Sequence, residues 1–203
     1  MAKERICVYV DGFNLYYGMT TEWKDIKWLN LFSLASSLLK ENQQLVEVKY
    51  YTARITGDIE KQKRQHTYLE ALQEVRVMIV PGKFLSTKVI CPNCKDKRTK
   101  YSEKMTDVNM ATDLIIDAHL DKFEKAILVS GDSDLVPPIK AINKHFKDKK
   151  VIVVFPPKRN NASLRQVAFD SFALGRKKLK DHQLPPAITK ADGYTLHKPE
   201  EWN

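Results

Sequence analysis

Ala126-Ile-Leu-Val-Ser-Gly-Asp-Ser-Asp134 is the stretch that decides the fold. Ala126 to Val129 is an unbroken apolar run, as expected of a strand buried on both faces of a parallel sheet. It ends at Ser130-Gly131, and two acids, Asp132 and Asp134, follow before Pro137-Pro138 open a helix. Prolines are tolerated there because first-turn N–H groups lack partners anyway. The N-terminus has the same layout: the β-branched and aromatic run Arg5 to Val10 stops at Asp11-Gly12. Working outward, strands are expected at Leu45 to Ile55, Val75 to Val80 and Val151 to Phe155. Helices are expected at Leu29 to Leu39, Asp58 to Glu74 (with Asp58 as N-cap), Thr106 to Asp121, Val136 to Phe146 and Ala162 to Phe169. Strands alternating with helices imply an α/β fold with a mostly parallel sheet of about five strands, covered on both faces.

Lys83 to Tyr101 breaks the alternation and reads as a β-hairpin insert around Cys91-Pro-Asn-Cys94. After Gly175 the composition turns basic and then proline-rich. Residues 1–174 are therefore expected to form the domain and 175–203 a basic tail or extended arm. The chain has 203 residues, 43% of them hydrophobic, enough for a core and too many for a disordered chain. No apolar run reaches the ~18 residues of a membrane span, and no leader is expected before the first strand. Three cysteines, an odd number, argue against a disulfide scaffold and for a cytoplasmic setting.

The formal charge is +9. Between Lys140 and Arg165 eight basic residues, Lys158 and Arg159 among them, face a single acid, Asp148. Lys95, Lys97, Arg98 and Lys100 form a second cluster beside the cysteines. Clustered positive charge attracts a polyanion through counterion release, which makes nucleic acid the first partner to consider; a solvated lysine-rich surface is the alternative.

In an open parallel sheet, ligands bind beyond the carboxyl ends of the strands, where strand order reverses. Asp11 ends the first strand, Asp132 and Asp134 follow the strand at Ala126, and Asp107 begins the helix leading into it. If those two strands are neighbours, the carboxylates share one edge, where a cation would relieve their repulsion. Oxygen-only ligation suits Mg²⁺ or Mn²⁺. Each Asp has another use, as turn former or N-cap. Asp113, about 120° around the helix from Asp107, is either a further carboxylate of the site or a partner for a basic residue. Asn14 could orient a carboxylate or cap the following helix. Ser130 could serve a phosphate, and Lys104 could contact one.

Val10 to Tyr17, Glu103 to Asp113 and Ile127 to Pro137, with Lys149 to Val154 and Ser163 to Phe172, together resemble the NYN domain, in particular the LabA-like branch of the PIN-like nuclease superfamily. The resemblance covers residues 5 to 174. It implies a PIN-like three-layer sandwich and metal-dependent cleavage of RNA, more in the manner of an endonuclease than an exonuclease. By that likeness Asp11, Asp107 and Asp132 are catalytic metal-binding residues, with Asp134 and Asp113 as additional ligands and Asn14 and Ser130 in support. One departure stands out: many relatives have Gly-Val before the middle Asp, where this chain has Met105-Thr106, with Thr106 read as a helix cap.

Cys91 and Cys94 are half of a four-ligand zinc site, so zinc is named only as a candidate there. The adjacent basic residues suit an RNA-contacting finger. Tyr16, Tyr17, Trp23 and Trp28 could stack on bases, but packing is the reading preferred for them. His182 and His197 are expected in solvent. The expectation is thus a Mg²⁺- or Mn²⁺-dependent ribonuclease with RNA as partner, no membrane association and room for a homodimer. The competing readings are a catalytically weak RNA-binding regulator and a small-molecule phosphohydrolase.

Overall fold

Two apolar layers sandwich one parallel sheet, and the alternation of residues along its first strand shows why. In the computed structural model, which describes residues 3–23, 25–90 and 96–202, strand β1 spans Glu4–Asp11. Its Ile6, Val8 and Val10 enter one core; Cys7 and Tyr9 enter the other. Side chains of a strand alternate between faces, so a strand apolar at every position needs cover on both sides. That cover comes on one face from α1 (Gly12–Glu22), α2 (Leu31–Ser36) and α3 (Ile59–Glu74). On the other it comes from α4 (Thr106–His119), α5 (Val136–His145) and α6 (Ala162–Val167).

The remaining strands are β2 (Gln43–Thr52), β3 (Met78–Pro81), the antiparallel pair β4 (Lys83–Ile90) and β5 (Lys97–Lys104), then β6 (Lys125–Val129), β7 (Lys150–Phe155) and β8 (Asp170–Ala173). Six of them form the sheet in the order β3-β2-β1-β6-β7-β8, every pair parallel. The chain runs outward from β1 to β3, returns through the β4/β5 hairpin and α4, and resumes beside β1 with β6. Strand order therefore reverses between β1 and β6, the place where an α/β sheet opens a crevice.

The mostly parallel sandwich and the separate hairpin agree with the sequence expectation. The sheet has six strands rather than about five, because β8 follows directly on α6 where a helix was expected to run to Phe169. Asp58 caps α3 as expected, accepting the Lys61 amide at 3.0 Å.

Residues 175–202 do not form the extended arm read from composition. They fold into α7 (Arg176–Asp181) and a small hairpin of β9 (Ala187–Thr189) and β10 (Thr195–His197). Leu179, Leu184, Leu196 and Trp202 are buried in the α1/α3 core. Backbone bonds join Leu184 N to Trp28 O and Asn30 N to His182 O, each 2.8 Å. The Trp28 indole donates to Pro185 O at 2.8 Å. His182 is not simply solvated: its Nδ1 lies 2.8 Å from Ser33 Oγ. The four anchoring apolar residues follow neither a 3.6 nor a 2 period, so no amphipathic pattern announced them.

Candidate metal centre at the sheet switch point

Three helix or turn N-termini meet at the carboxyl edge of β1 and β6, and each presents an aspartate. Asp11 is the N-cap of α1, accepting the Asn14 amide at 2.9 Å. Asp107 is in the first turn of α4. Asp132 caps the 3₁₀ turn Ser133–Leu135, accepting the Asp134 amide at 3.0 Å. Positive helix N-termini favour carboxylates in such places. One oxygen from each of Asp11, Asp107 and Asp132 lies within 4.8 Å of the other two.

A hydrogen-bonded frame fixes this geometry. Ser130 Oγ donates to Asp11 Oδ2 at 2.8 Å and accepts the Asp132 amide at 3.0 Å. Asn14 Oδ1 accepts the Gly131 amide at 3.1 Å, tying α1 to the β6 turn. Asn161 Nδ2 donates to Gly131 O at 3.1 Å while its own Oδ1 caps α6. Gly131 must be glycine, since a Cβ would sit 1.9 Å from Arg159 O. Ser130 thus bonds both Asp11 and Asp132, and Asn14 bonds the glycine amide between Ser130 and Asp132. Asn161 was missed: Asn160-Asn161 looks like an ordinary turn, and only the fold brings it to Gly131.

Burial and neighbouring charge act on two of the three acids, Asp11 and Asp107. Burial pushes the Asp11 carboxyl up to about 6, the Asn14 and Ser130 bonds working against this and the charges of Asp107 and Asp132 with it. Asp107 is raised by burial and then by the charges of Asp132 and Asp134. Among the described residues no Lys or Arg pairs with any of the three. An all-oxygen cluster of this kind fits a hard divalent cation such as Mg²⁺ or Mn²⁺.

The other expected site residues divide. Asp134 is close enough to act on Asp107 by charge but is outside the three-oxygen cluster. Asp113 belongs to a different group: it accepts the Tyr51 hydroxyl at 2.8 Å and lies 3.4 Å from Lys49 Nζ. Asp117, one turn on, is buried with Lys49 at 2.6 Å, Lys122 at 2.8 Å and the Tyr9 hydroxyl at 2.8 Å. Lys104 is exposed at the end of β5 and joins no bond of the cluster. Thr106 is not the cap of α4; that position is Met105, left-handed at φ 76°, with Thr106 buried in the first turn. Lys158 and Arg159 do reach the site: with Asn14, Gly131, Asp132 and Asn161 they line a polar cavity of about 330 Å³.

Lys97 is exposed on the hairpin, and the backbones of Arg98 and Lys100 pair in β5. Cys91, Cys94 and Lys95, hence the zinc candidate, lie outside the described residues. Trp28 is fully buried, which matches the packing role given to it. Tyr16 and Tyr17 are instead exposed on α1 and, with Gly12, Phe13, Tyr50 and Trp202, line a second cavity of about 330 Å³.

A parallel α/β sandwich with three aspartates at its switch point defines a protein that could hold a divalent metal at one sheet edge. The comparisons make the class specific: the NYN domain family matches residues 5–174, and the chain belongs to that family. It is also 28% identical over 236 residues to the Pseudomonas putida 6-hydroxy-3-succinoylpyridine 3-monooxygenase HspA, covering 98% of this chain and 75% of that protein. A solved structure of a protein of unknown function from Vibrio parahaemolyticus shares the fold, with a TM-score of 0.60 and 21% identity over 90% of this chain and 98% of that one. The family places the chain in the PIN-like nuclease superfamily, with an acidic cluster able to hold metal. Among the described residues no helix is long and apolar enough to cross a membrane.

Proposed function

We propose that this chain is a Mg²⁺- or Mn²⁺-dependent ribonuclease that cuts RNA endonucleolytically. The observation that carries the reading is the convergence of Asp11, Asp107 and Asp132 at the β1/β6 edge with no basic partner among the described residues. A divalent cation held by these three would supply charge neutralisation and Lewis-acid activation for attack on a phosphodiester. Ser130 keeps the Asp11 and Asp132 arms at fixed separation, and Asn14 locks the β6 turn to α1. Lys158 and Arg159 line the cavity next to Asp132, where a backbone phosphate would lie against two cations. The +9 charge favours a polyanionic substrate and makes its binding salt-sensitive.

The test is cleavage of labelled single-stranded RNA and DNA with Mg²⁺, Mn²⁺ or EDTA. Even outer partners of a metal site cost ~10–100-fold when removed. Asp132→Asn and Asp107→Asn should therefore lower turnover by at least about 100-fold, with an unchanged circular dichroism spectrum. Salt-sensitive binding without cleavage in any metal would refute catalysis and favour a regulatory RNA-binding module. The near full-length match to HspA, together with the aromatic cavity at Gly12, favours one second reading, a small aromatic substrate. Conversion of 6-hydroxy-3-succinoylpyridine by a chain that leaves RNA intact would replace the nuclease reading.

A further inference from the structure

We infer that the cavity between α1, β2 and α3 is a nucleotide subsite, stacking one base of the substrate beside the acidic cluster; this rests on the ribonuclease reading above. Gly12, the residue after Asp11, and Thr52, at the carboxyl end of β2 where Tyr51 pairs with Asp11, both line the cavity, so it opens at the same edge of the sheet as the carboxylates. Gly12 itself is forced by the site, because a Cβ would lie 2.6 Å from the Tyr50 ring.

Its walls are aromatic on two sides. On α1, Phe13 and Tyr17 are stacked at 6.0 Å with an interplanar angle of 29°, and Tyr16 meets Tyr17 edge-on at 5.6 Å. These three sit at i, i+3 and i+4, one helix face, and that face is turned away from the core: Tyr17 is 51% exposed. Opposite them Tyr50 and Trp202 each meet Tyr68 edge-on, at 6.2 and 5.6 Å. A surface tyrosine face needs a reason, and a planar ligand between aromatic walls supplies one. The volume of about 330 Å³ is at the small end of ligand pockets, ~300–1,000 Å³.

The rim adds an anion requirement. Arg64 and Lys61 line the cavity, and each carries a carboxylate, Arg64 with Glu201 at 2.6 Å and Lys61 with Asp58 at 3.1 Å. Exposed pairs of this kind are weak, so exchange of either carboxylate for a ligand phosphate is cheap. A ring between aromatic walls and a phosphate at a cationic rim together describe a nucleotide. Glu201 and Trp202 lie beyond residues 5–174, so the C-terminal segment completes a cavity whose other walls come from the family domain.

The experiment is a tryptophan-fluorescence titration of the full chain in EDTA with adenosine and uridine 5′-monophosphates, against ribose 5-phosphate and inorganic phosphate. Both nucleotides should bind about tenfold or more tighter than ribose 5-phosphate, since stacking on one aromatic side chain is worth that much. Tyr17→Ala should remove about tenfold of the nucleotide affinity and leave ribose 5-phosphate unchanged, and Tyr17→Phe should restore it. Equal binding of ribose 5-phosphate, no nucleotide binding, or no effect of Tyr17→Ala overturns the subsite. RNA cleavage by Tyr17→Ala at the wild-type KM also overturns it while leaving the nuclease reading intact. Nucleotide binding that depends on Tyr17 in a chain that cuts no RNA supports the subsite and refutes the nuclease.

Discussion

Replacing Asp11 by Asn should make the metal-free protein more stable at neutral pH, although it removes a residue placed at the centre of the site. Asp11 is only 5% exposed, and burial, with Asp107 and Asp132 beside it, raises its carboxyl from 3.8 to about 6. A carboxyl whose folded value exceeds its unfolded value stabilises the fold only while protonated. That stability is complete below 3.8 and is lost as pH rises through 6. By linkage, ionised Asp11 costs the fold about 3 kcal/mol at pH 7.5. Asn caps a helix as well as Asp does, so the bond from the Asn14 amide survives. The Ser130 hydroxyl must reorient, at about 1 kcal/mol. The net gain is about 1–2 kcal/mol, or about 2–8 °C in Tm for a chain of this size. Thermal and urea melts in EDTA at pH 7.5 and 4.5 measure it; at pH 4.5 about two-thirds of the ionisation cost is relieved, leaving about 1 kcal/mol, which the Ser130 term cancels, so the two proteins should melt together. Mg²⁺ should then raise the wild-type Tm and not the variant's, because a ligand stabilises only the form that binds it. If Asp11→Asn is the less stable protein at both pH values, the cluster is not electrostatically strained and the reasoning fails.

Lys49→Met should cost about 2–4 kcal/mol in urea denaturation, because it strips the buried Asp117 of its 2.6 Å partner and leaves only Lys122 and Tyr9. Lys122→Met, at a half-exposed lysine, should cost under about 1 kcal/mol, and equal losses would show the two ion pairs to be equivalent. Gly131→Ala should destabilise by about 2 kcal/mol or more, since the methyl group collides with Arg159 O and must push the Lys158–Arg159 segment outward. A melt unchanged from wild type would refute that packing. Met105→Gly should stabilise by about 1 kcal/mol, relieving a left-handed backbone at an exposed side chain. A lower urea midpoint would show that the Met105 side chain contributes more than the backbone strain costs.

The three clustered aspartates were legible because each marks the end of a strand or the start of a helix, and those boundaries are written in local residue patterns. Asp113 shows where that legibility stops. Its 120° offset from Asp107 was readable, but its partners Lys49 and Tyr51 are on β2, and the position of β2 beside β1 is a property of strand order. The glycine that relatives carry before the middle Asp also acquires a physical meaning only in three dimensions. That position is Met105 here, at φ 76°, a conformation glycine adopts freely and other residues adopt at a cost. For the two strand-end acids, turn-forming and site-forming roles had stood as alternatives. The two roles are geometrically compatible: Asp11 and Asp132 each use Oδ1 to cap the next turn, and each still has an oxygen in the three-aspartate cluster. Capping fixes both carboxylates at the switch point before any ligand arrives. A turn former placed at the β1/β6 reversal therefore arrives already aimed at the crevice, and the same bonds that fold the turn preorganise the cluster.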